Sequence, residues 1–392
     1  MGQHDHIVVV GASLAGSTVA DTLRRRGFTG SLTLIGAEPR SAYNRPALSK
    51  GVLAGYDGFD EIALPPLSCE VDQLIGIAAV ALDTQRREVV LADGERIRYD
   101  KLAITTGARA RRLADLDAAD TGVQEITFRD LDDAQRLSWL LAARPRTVIV
   151  GAGILGMELA SACVDRGASV TVIDRQPPLH AQVGPFLAEL VVKAAERRGV
   201  HFVHAPDGLR LRGRTSGTPI VELADGRRLE GDLVLSAVGC LPEVDWLRTS
   251  GLAGPGGLHI DTRCRVTPDI VAAGDVAAFP STDGPRRTPL WTAAFEQART
   301  AATTLLDGDS APPLTPSPYF WTEQFGMTIR MCGAMPPLDK PTVLEGMVRN
   351  GVIEEGGLLL RWNGASGTAA AVNRRIPITK LCALTRPAPA TI

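Results

Sequence analysis

The chain is poor in the residue pairings that usually announce redox or metal chemistry. Its 392 residues hold six cysteines: Cys69, Cys163, Cys240, Cys264, Cys332 and Cys382. No two of them form a C-x-x-C pair or a zinc-type spacing, so the sequence offers neither a dithiol motif nor a metal knuckle. They read as buried free thiols of a reducing compartment. No window of about 18 apolar residues is present, which excludes a membrane-spanning helix. No basic segment precedes an apolar run near the N-terminus, so no signal peptide is expected and the chain reads as cytoplasmic. The net charge of −2 gives no footprint for bulk nucleic-acid binding. Arginines do cluster locally, at Arg24-Arg25-Arg26, at Arg109 with Arg111 and Arg112, at Arg286-Arg287 and at Arg374-Arg375. Such clusters are either solvated helix ends and loops or a docking rim for an acidic protein.

Against these absences stands one repeated feature. The run His6-Ile7-Val8-Val9-Val10 leads into Gly11-Ala12-Ser13-Leu14-Ala15-Gly16, and Thr147-Val148-Ile149-Val150 leads into Gly151-Ala152-Gly153-Ile154-Leu155-Gly156. Each is a β-branched strand running into a tight small-residue turn and then a helical stretch, the pattern of a dinucleotide-binding turn. A pyrophosphate needs backbone N–H groups at a helix N-terminus and no side chain in the way. Gly11 and Gly151 allow the tight turn, and Gly16 and Gly156 let helix approach strand. The middle glycine is Gly153 in the second turn and Ser13 in the first, whose hydroxyl could itself bond a phosphate oxygen. Two such turns imply two nucleotides, and two nucleotides imply electron traffic.

The order of elements is duplicated around these turns. In the first half, a helix over 19–26 stops at Gly27, and a strand over 31–35 leads to Glu38. An alternating stretch over 80–91 is followed by Asp93-Gly94 as a hairpin turn, and a buried strand over 99–105 ends at Gly107. The second half repeats this with a helix to Arg166, a strand over 169–173, Asp174, a hairpin over 220–229 turning at Asp225-Gly226, and a buried strand over 233–238 ending at Gly239. An amphipathic helix over 130–143 precedes the second half. After strand character over 258–279 and a helix over 291–306, the stretch Pro312-Pro313 to Pro318 reads as a linker. The tail, with strands over 327–331, 342–349 and 357–362, reads as a small α+β domain. The expected fold is α/β: two Rossmann-like dinucleotide-binding domains, the second inserted in the first, plus the C-terminal domain. The expected boundaries are 1–114 with 245–315, then 115–244, then 316–392.

The acid after the second strand of each unit reads the ribose. A carboxylate there accepts from both ribose hydroxyls and repels a 2′-phosphate. Asp174 therefore points to NAD, while the adjacent Arg175 leaves room for NADP. The segment Ala272-Ala273-Gly274-Asp275-Val276 is a strand ending in Gly-Asp before a small-residue helix. It reads either as an aspartate near a flavin ribitol or as a capped helix start.

Taken together these segments resemble the FAD-dependent, NAD(P)H-using pyridine nucleotide-disulfide oxidoreductase superfamily. Within it, the chain is similar to the ferredoxin reductases that feed bacterial oxygenases. The carriers are Tyr43-Asn44-Arg45-Pro46-Ala47-Leu48-Ser49-Lys50, Thr105-Thr106-Gly107-Ala108, Phe128-Arg129-Asp130-Leu131-Asp132-Asp133-Ala134, and Ala237-Val238-Gly239. Further along come Gly274-Asp275, Phe295-Glu296-Gln297-Ala298-Arg299 and Tyr319-Phe320-Trp321-Thr322-Glu323-Gln324. The resemblance runs in order from about residue 5 to about 382. It implies that Ser13, Leu14, Ala15, Glu38, Arg45, Lys50, Val80, Gly107, Arg129, Gly274, Asp275 and Trp291 line the FAD. It implies that Gly153, Ile154, Leu155, Glu158, Asp174, Arg175 and Gly239 line the NAD. Lys50 would sit near the flavin N5, paired with Glu158, and Trp321 would close over the flavin. The chain departs from the family where Ala37 replaces the usual acid, so that Glu38 serves one place later, and where Ala47 replaces the second proline of R-P-P-L-S-K. Ala293 also stands where an asparagine is usual.

Members of this superfamily differ in how electrons leave the flavin. Disulfide reductases need a cysteine pair. Coenzyme A disulfide reductases and water-forming NADH oxidases need one cysteine after the first acid, and residues 39–50 hold none. Cys69, the nearest, has no basic neighbour to activate it. The resemblance therefore implies hydride transfer from NADH to FAD and single-electron delivery to an iron–sulfur ferredoxin serving a haem-thiolate or Rieske-type oxygenase, by a monomer or weak dimer. An NADH oxidase or diaphorase, and a regulatory flavoprotein like apoptosis-inducing factor, remain the alternatives.

Overall fold

The structure, a computed structural model, describes residues 5–68, 70–213, 217–254, 256–363 and 367–386. The chain divides into two compact units. The first comprises Met1–Asn44, Ile62–Arg109 and Leu241–Ser317; the second comprises Arg45–Glu61, Ala110–Cys240 and Pro318–Ile392.

In the first unit the strand His6–Val10 lies inside a six-stranded sheet. Ser31–Gly36 and Asp72–Ile75 extend it on one side; Lys101–Ile104, Ile270–Ala272 and Arg265–Thr267 extend it on the other. Pairing is parallel except at the Arg265–Thr267 edge. Ile7, Val8 and Val9 are wholly buried, as a strand covered on both faces must be, which is why its sequence is continuously apolar instead of alternating. The helices Leu14–Arg25 and Trp291–Asp307 pack together. Gly16, Val19, Ala20 and Leu23 form the buried stripe of one, and Ala298, Ala301, Ala302 and Leu305 that of the other. The spacing of both stripes is helical, and their small residues permit close approach. The helix expected over 19–26 begins earlier, at Leu14, directly on the Gly turn. The expected hairpin is a three-stranded meander, Ala79–Asp83, Glu88–Leu91 and Arg96–Arg98.

The second unit holds an all-parallel five-stranded sheet in the order His201–His204, Ser169–Asp174, Arg146–Val150, Leu233–Ser236, Ile126–Thr127. Its own meander is Leu209–Arg212, Ile220–Leu223 and Arg228–Leu229. The duplicated order read from the sequence is thus a duplicated architecture. The same unit contains an antiparallel sheet in the order Tyr319–Gln324, Met327–Gly333, Thr368–Val372, Leu358–Trp362, Thr342–Glu345. The single strand expected over 342–349 is broken at Gly346, whose φ is +87°.

The cysteine expectation needs correcting. Cys332, on the strand Met327–Gly333, and Cys382, on the helix Ile378–Ala383, form a disulfide with Cα atoms 5.2 Å apart. Strand–helix packing brings together two residues 50 positions apart, a pairing that no local spacing signals. Cys163 and Cys264 are buried free thiols, and Cys240 is half-buried and outside the disulfide; Cys69 lies outside the described residues. Among the described residues no helix is long and apolar enough to cross a membrane.

Candidate active site

Within the first unit the turn after His6–Val10 is shaped by backbone proximity. Gly11 has φ +112°, and a Cβ placed there would lie 2.2 Å from the Thr105 carbonyl oxygen. A Cβ on Gly16 would lie 1.8 Å from the Gly11 carbonyl oxygen. The Gly11 N–H donates to the Ile35 carbonyl at 2.8 Å, tying the turn to the neighbouring strand. Ser13 occupies the N-cap with extended backbone but makes no capping bond, and the first helical turn carries no acidic residue. Leu14 and Ala15 open the helix. Such a turn fits a pyrophosphate: N–H donors at a helix start, no carboxylate to repel it and a hydroxyl not spent on capping.

The other first-unit candidates surround the sheet's carboxyl edge. Glu38 accepts a hydrogen bond from the Tyr43 hydroxyl at 2.7 Å. Gly107 has φ +74°. Gly274 donates its N–H to the buried Gln297 Oε1 at 2.8 Å, and a Cβ on it would press on Ala15 at 3.3 Å. The Asp275 carbonyl accepts from Arg287 at 3.0 Å. Trp291 stacks on Phe295 with centroids 5.9 Å apart. Val80 is 49 % exposed beside an irregularity in strand register.

The second unit repeats the turn almost contact for contact. Gly151 has φ +107°, with a Cβ 2.4 Å from the Ala237 carbonyl; a Cβ on Gly156 would lie 1.9 Å from the Gly151 carbonyl. The Gly151 N–H donates to Ile173 at 2.8 Å. Gly153 caps the helix Ile154–Asp165, whose first residues Ile154 and Leu155 are half-buried. Asp174 ends the adjacent strand, and its carboxylate accepts from the Ala152 N–H at 2.6 Å and the Gln176 N–H at 2.9 Å. The acid therefore fastens the turn as well as standing where a ribose reader stands. Arg175 beside it is exposed, and Gly239 has φ +102°. Ser236 Oγ, at the carboxyl end of the central strand pair, is buried without a hydrogen-bond partner. The residues present thus fit a second dinucleotide.

The same unit brings Lys50 and Glu158 together. The segment Arg45–Ala47 is a 3₁₀ turn, followed by a single π-helical turn, Leu48–Val52, interrupted at Lys50 with φ −110° and ψ −113°. Single π turns recur at functional sites because they re-aim one side chain. The Lys50 ammonium lies 2.9 Å from Glu158 Oε1 and 3.0 Å from Oε2, and donates to the Pro46 carbonyl at 3.0 Å. Lys50 is 10 % and Glu158 3 % exposed. Ser49 Oγ donates to Oε2 at 2.5 Å, and Thr322 Oγ1 to Oε1 at 2.6 Å. The Trp321 ring centroid lies 5.9 Å from Lys50 Nζ, and Tyr319 stacks on the same ring. Arg45 donates to the Arg129 carbonyl at 3.1 Å. The Arg129 N–H donates to Asp133, whose carboxyl is pushed above its ordinary value by burial and by the charge of Asp130. Gln324 Nε2 in turn donates to Thr322 Oγ1 at 2.9 Å, and of these participants Ser49, Thr322 and Gln324 carry no role in the sequence reading. The available signal is the alternation in Tyr319–Gln324, which buries two polar residues, Thr322 and Gln324, on one face.

The two buried free thiols, Cys163 and Cys264, are chemically quiet. Burial pushes the Cys163 thiol up to about 12, and burial with the charge of Asp261 raises Cys264 as well. Several expected docking arginines are engaged within the chain: Arg24 with the Phe28 and Gly30 carbonyls, Arg26 with Asp307, Arg374 with Glu345. Arg112, Arg286 and Arg375 are exposed. Among the described residues no cluster of His, Cys, Asp or Glu could hold a metal ion.

Duplicated Gly turns on parallel sheets, with a buried Lys–Glu pair, define an oxidoreductase of the two-nucleotide kind. The Pyridine nucleotide-disulphide oxidoreductase family matches residues 5–298, and the chain belongs to that family. It is 35 % identical over 336 residues to the 3-phenylpropionate/cinnamic acid dioxygenase ferredoxin–NAD(+) reductase component of Photorhabdus laumondii subsp. laumondii, covering 84 % of each chain. It is 34 % identical over 345 residues to the rubredoxin-NAD(+) reductase of Pseudomonas putida, covering 86 % of this chain and 89 % of that one. A ferredoxin reductase from Rhodopseudomonas palustris has a similar structure, with TM-score 0.83 and 28 % identity, over 95 % of this chain and 92 % of the other. The reductase of the covalent putidaredoxin reductase–putidaredoxin complex is similar at TM-score 0.82 and 26 % identity, over 97 % and 93 %.

Proposed function

We propose that this chain takes hydride from NADH onto FAD and delivers electrons singly to an iron–sulfur ferredoxin serving an oxygenase. The observation that carries the reading is the duplicated Gly turn, whose two copies share the same N–H anchor and the same forbidden Cβ positions. The names of the relatives supply the acceptor class. FAD supplies two-electron acceptance coupled to one-electron release, which suits an iron–sulfur partner. In this reading the first turn, with Glu38, Val80, Gly107, Gly274, Asp275 and Trp291, holds FAD, joined by Arg45, Arg129 and Trp321. The second turn, with Asp174, Arg175 and Gly239, holds NAD. The domains run 1–114 with 245–315, 115–244 and 316–392.

The chain's own residues then do three things. The turn N–H groups bind pyrophosphate and orient each nucleotide, so that reactants meet without an entropic search. Lys50 presents a positive charge, already oriented by the Glu158 carboxylate and the Pro46 carbonyl, to the place where negative charge develops on hydride acceptance. Asp174 favours two ribose hydroxyls over a 2′-phosphate, giving an NADH preference. Reduction of cytochrome c by NADH through an added [2Fe–2S] ferredoxin tests the reading. Electron flow that requires ferredoxin supports it. Rapid oxygen uptake without ferredoxin would make the protein an oxidase, and NADH-induced assembly with negligible turnover a regulatory flavoprotein.

A further inference from the structure

The Lys50–Glu158 pair is closed by a chain of donors from another element, and the count of protons fixes its direction. A lysine ammonium has three donors, and Lys50 directs two of them at Glu158 Oε2 and the Pro46 carbonyl while its charge sits 2.9 Å from Glu158 Oε1. A carboxylate has about four acceptor sites, and Glu158 accepts from Lys50 and Ser49 at Oε2 and from Thr322 at Oε1, the oxygen that faces the Lys50 charge as an ion pair. Thr322 has one proton. Gln324 Nε2 lies 2.9 Å from Thr322 Oγ1 and donates to it. With that lone pair occupied, the hydroxyl proton is directed to Glu158. The reverse amide orientation would set Gln324 Oε1 against Thr322 Oγ1. The single proton could not then serve both neighbours, and either that contact or the 2.6 Å contact to Glu158 would lack its hydrogen. Gln324 Oε1 is buried without a partner, so the amide does nothing else through that atom. Thr322 is wholly buried and Gln324 is 3 % exposed, so water does not substitute for either donor.

We infer that Gln324 and Thr322 are positioning residues: through Oε1 they lock the Glu158 carboxylate in the orientation that holds Lys50. The alternation of Tyr319–Gln324 makes this possible, because residues two apart share a face. The inference rests on the role proposed for Lys50 and Glu158, and its test separates the two.

The test compares Thr322→Val, Thr322→Ser, Glu158→Gln and the Thr322→Val/Glu158→Gln double variant in the full-length, FAD-loaded protein. Two quantities are read: the limiting rate of flavin reduction by NADH, and the acetylation of Lys50 by acetic anhydride, measured by peptide mass spectrometry. Thr322→Val removes only the hydroxyl. It is expected to slow flavin reduction about tenfold while the dissociation constant for NAD⁺ moves less than about twofold. Lys50 acetylation is expected to rise severalfold. Thr322→Ser restores the hydroxyl and should return both readouts to near wild type. In the Glu158→Gln background Thr322→Val should add less than about twofold, the signature of residues acting as one unit. Unchanged Lys50 acetylation in Thr322→Val overturns the inference, as does an undiminished effect of Thr322→Val in the Glu158→Gln background. If Glu158→Gln leaves flavin reduction unaltered, the role of the ion pair fails, while acetylation still decides the positioning. Should Thr322→Val not fold, Gln324→Met applies the same acetylation criterion one donor further out.

Discussion

A buried ion pair is held by what surrounds it. Lys50 and Glu158 are both withdrawn from water, and removing one partner leaves the other's charge uncompensated. Lys50→Ala should therefore lower stability by about 3 kcal/mol in denaturant titrations. It should also slow NADH-dependent flavin reduction far more than it lowers FAD content per chain. Equal losses of both would remove Lys50 from the hydride step. Asp174 poses a different case, because its carboxylate already accepts from Ala152 and Gln176. Asp174→Ala loses a charge-assisted bond to the turn, worth about 1.5–3 kcal/mol, as well as the ribose contact proposed for it. The KM for NADH should rise at least about tenfold and the preference over NADPH should narrow. A wild-type protein that prefers NADPH would contradict the assignment. The pairing of Lys50 with Glu158 was legible through the R-P-x-L-S-K resemblance. Ser49 and Thr322 were not, because a hydroxyl's role depends on which carboxylate a distant element delivers to it.

At the scale of elements, the Gly turns make separable predictions. Alanine at Gly16 or Gly156 would place a Cβ within 2 Å of a backbone oxygen, so the helix must move off its strand. Gly16→Ala should yield protein depleted of FAD. Gly156→Ala should retain the yellow flavin but reduce it slowly with NADH. The absorbance spectrum and a stopped-flow trace distinguish them, and exchange of the two phenotypes would reverse the nucleotide assignment. The second unit's meander adds a pH dependence. Asp120 is held below its ordinary value chiefly by the Arg210 side-chain bond, with Gly213 and Arg212 assisting. Glu222 is likewise held down by Arg212 and Arg228. A depressed carboxyl contributes stability that is fully present above its unfolded value and is lost as pH falls through its folded one. Asp120→Asn should therefore lower the thermal midpoint at neutral pH, with the gap to wild type closing below about pH 4. Both units' strand–turn–helix cores were readable from β-branched runs. The strand Thr368–Val372 was not, since its three alanines have little β-propensity. It forms because it lies between two partners in the interior of its sheet, where a wholly buried site rewards small residues. The helix His180–Arg197 was hidden by Gly184 and Pro185, which break its periodicity.

At the scale of the whole molecule the question is where electrons leave. The absence of a cysteine from residues 39–50 was legible directly, and it separates this chain from the thiol-relay members of its family. The disulfide between Cys332 and Cys382 was not, because the bonded residues are brought together by tertiary packing alone. That bond joins a strand of the antiparallel sheet to the helix beside it, and Cys332 is 1 % exposed. Burial keeps Cys163 and Cys264 as thiols, the unreactive form, at any physiological pH. A thiol relay would generate a reactive thiolate on reduction, and alkylation would then trap it. Incubation with NADH and iodoacetamide should consequently leave ferredoxin-dependent cytochrome c reduction intact, and the protein should not reduce oxidised glutathione or coenzyme A disulfide. Docking of an acidic acceptor on exposed arginines such as Arg112 or Arg286 predicts a ferredoxin-dependent rate that falls as salt rises, while flavin reduction by NADH changes little. NADH-dependent inactivation by iodoacetamide, together with a salt-independent acceptor rate, would place the outlet at a thiol instead of at the flavin.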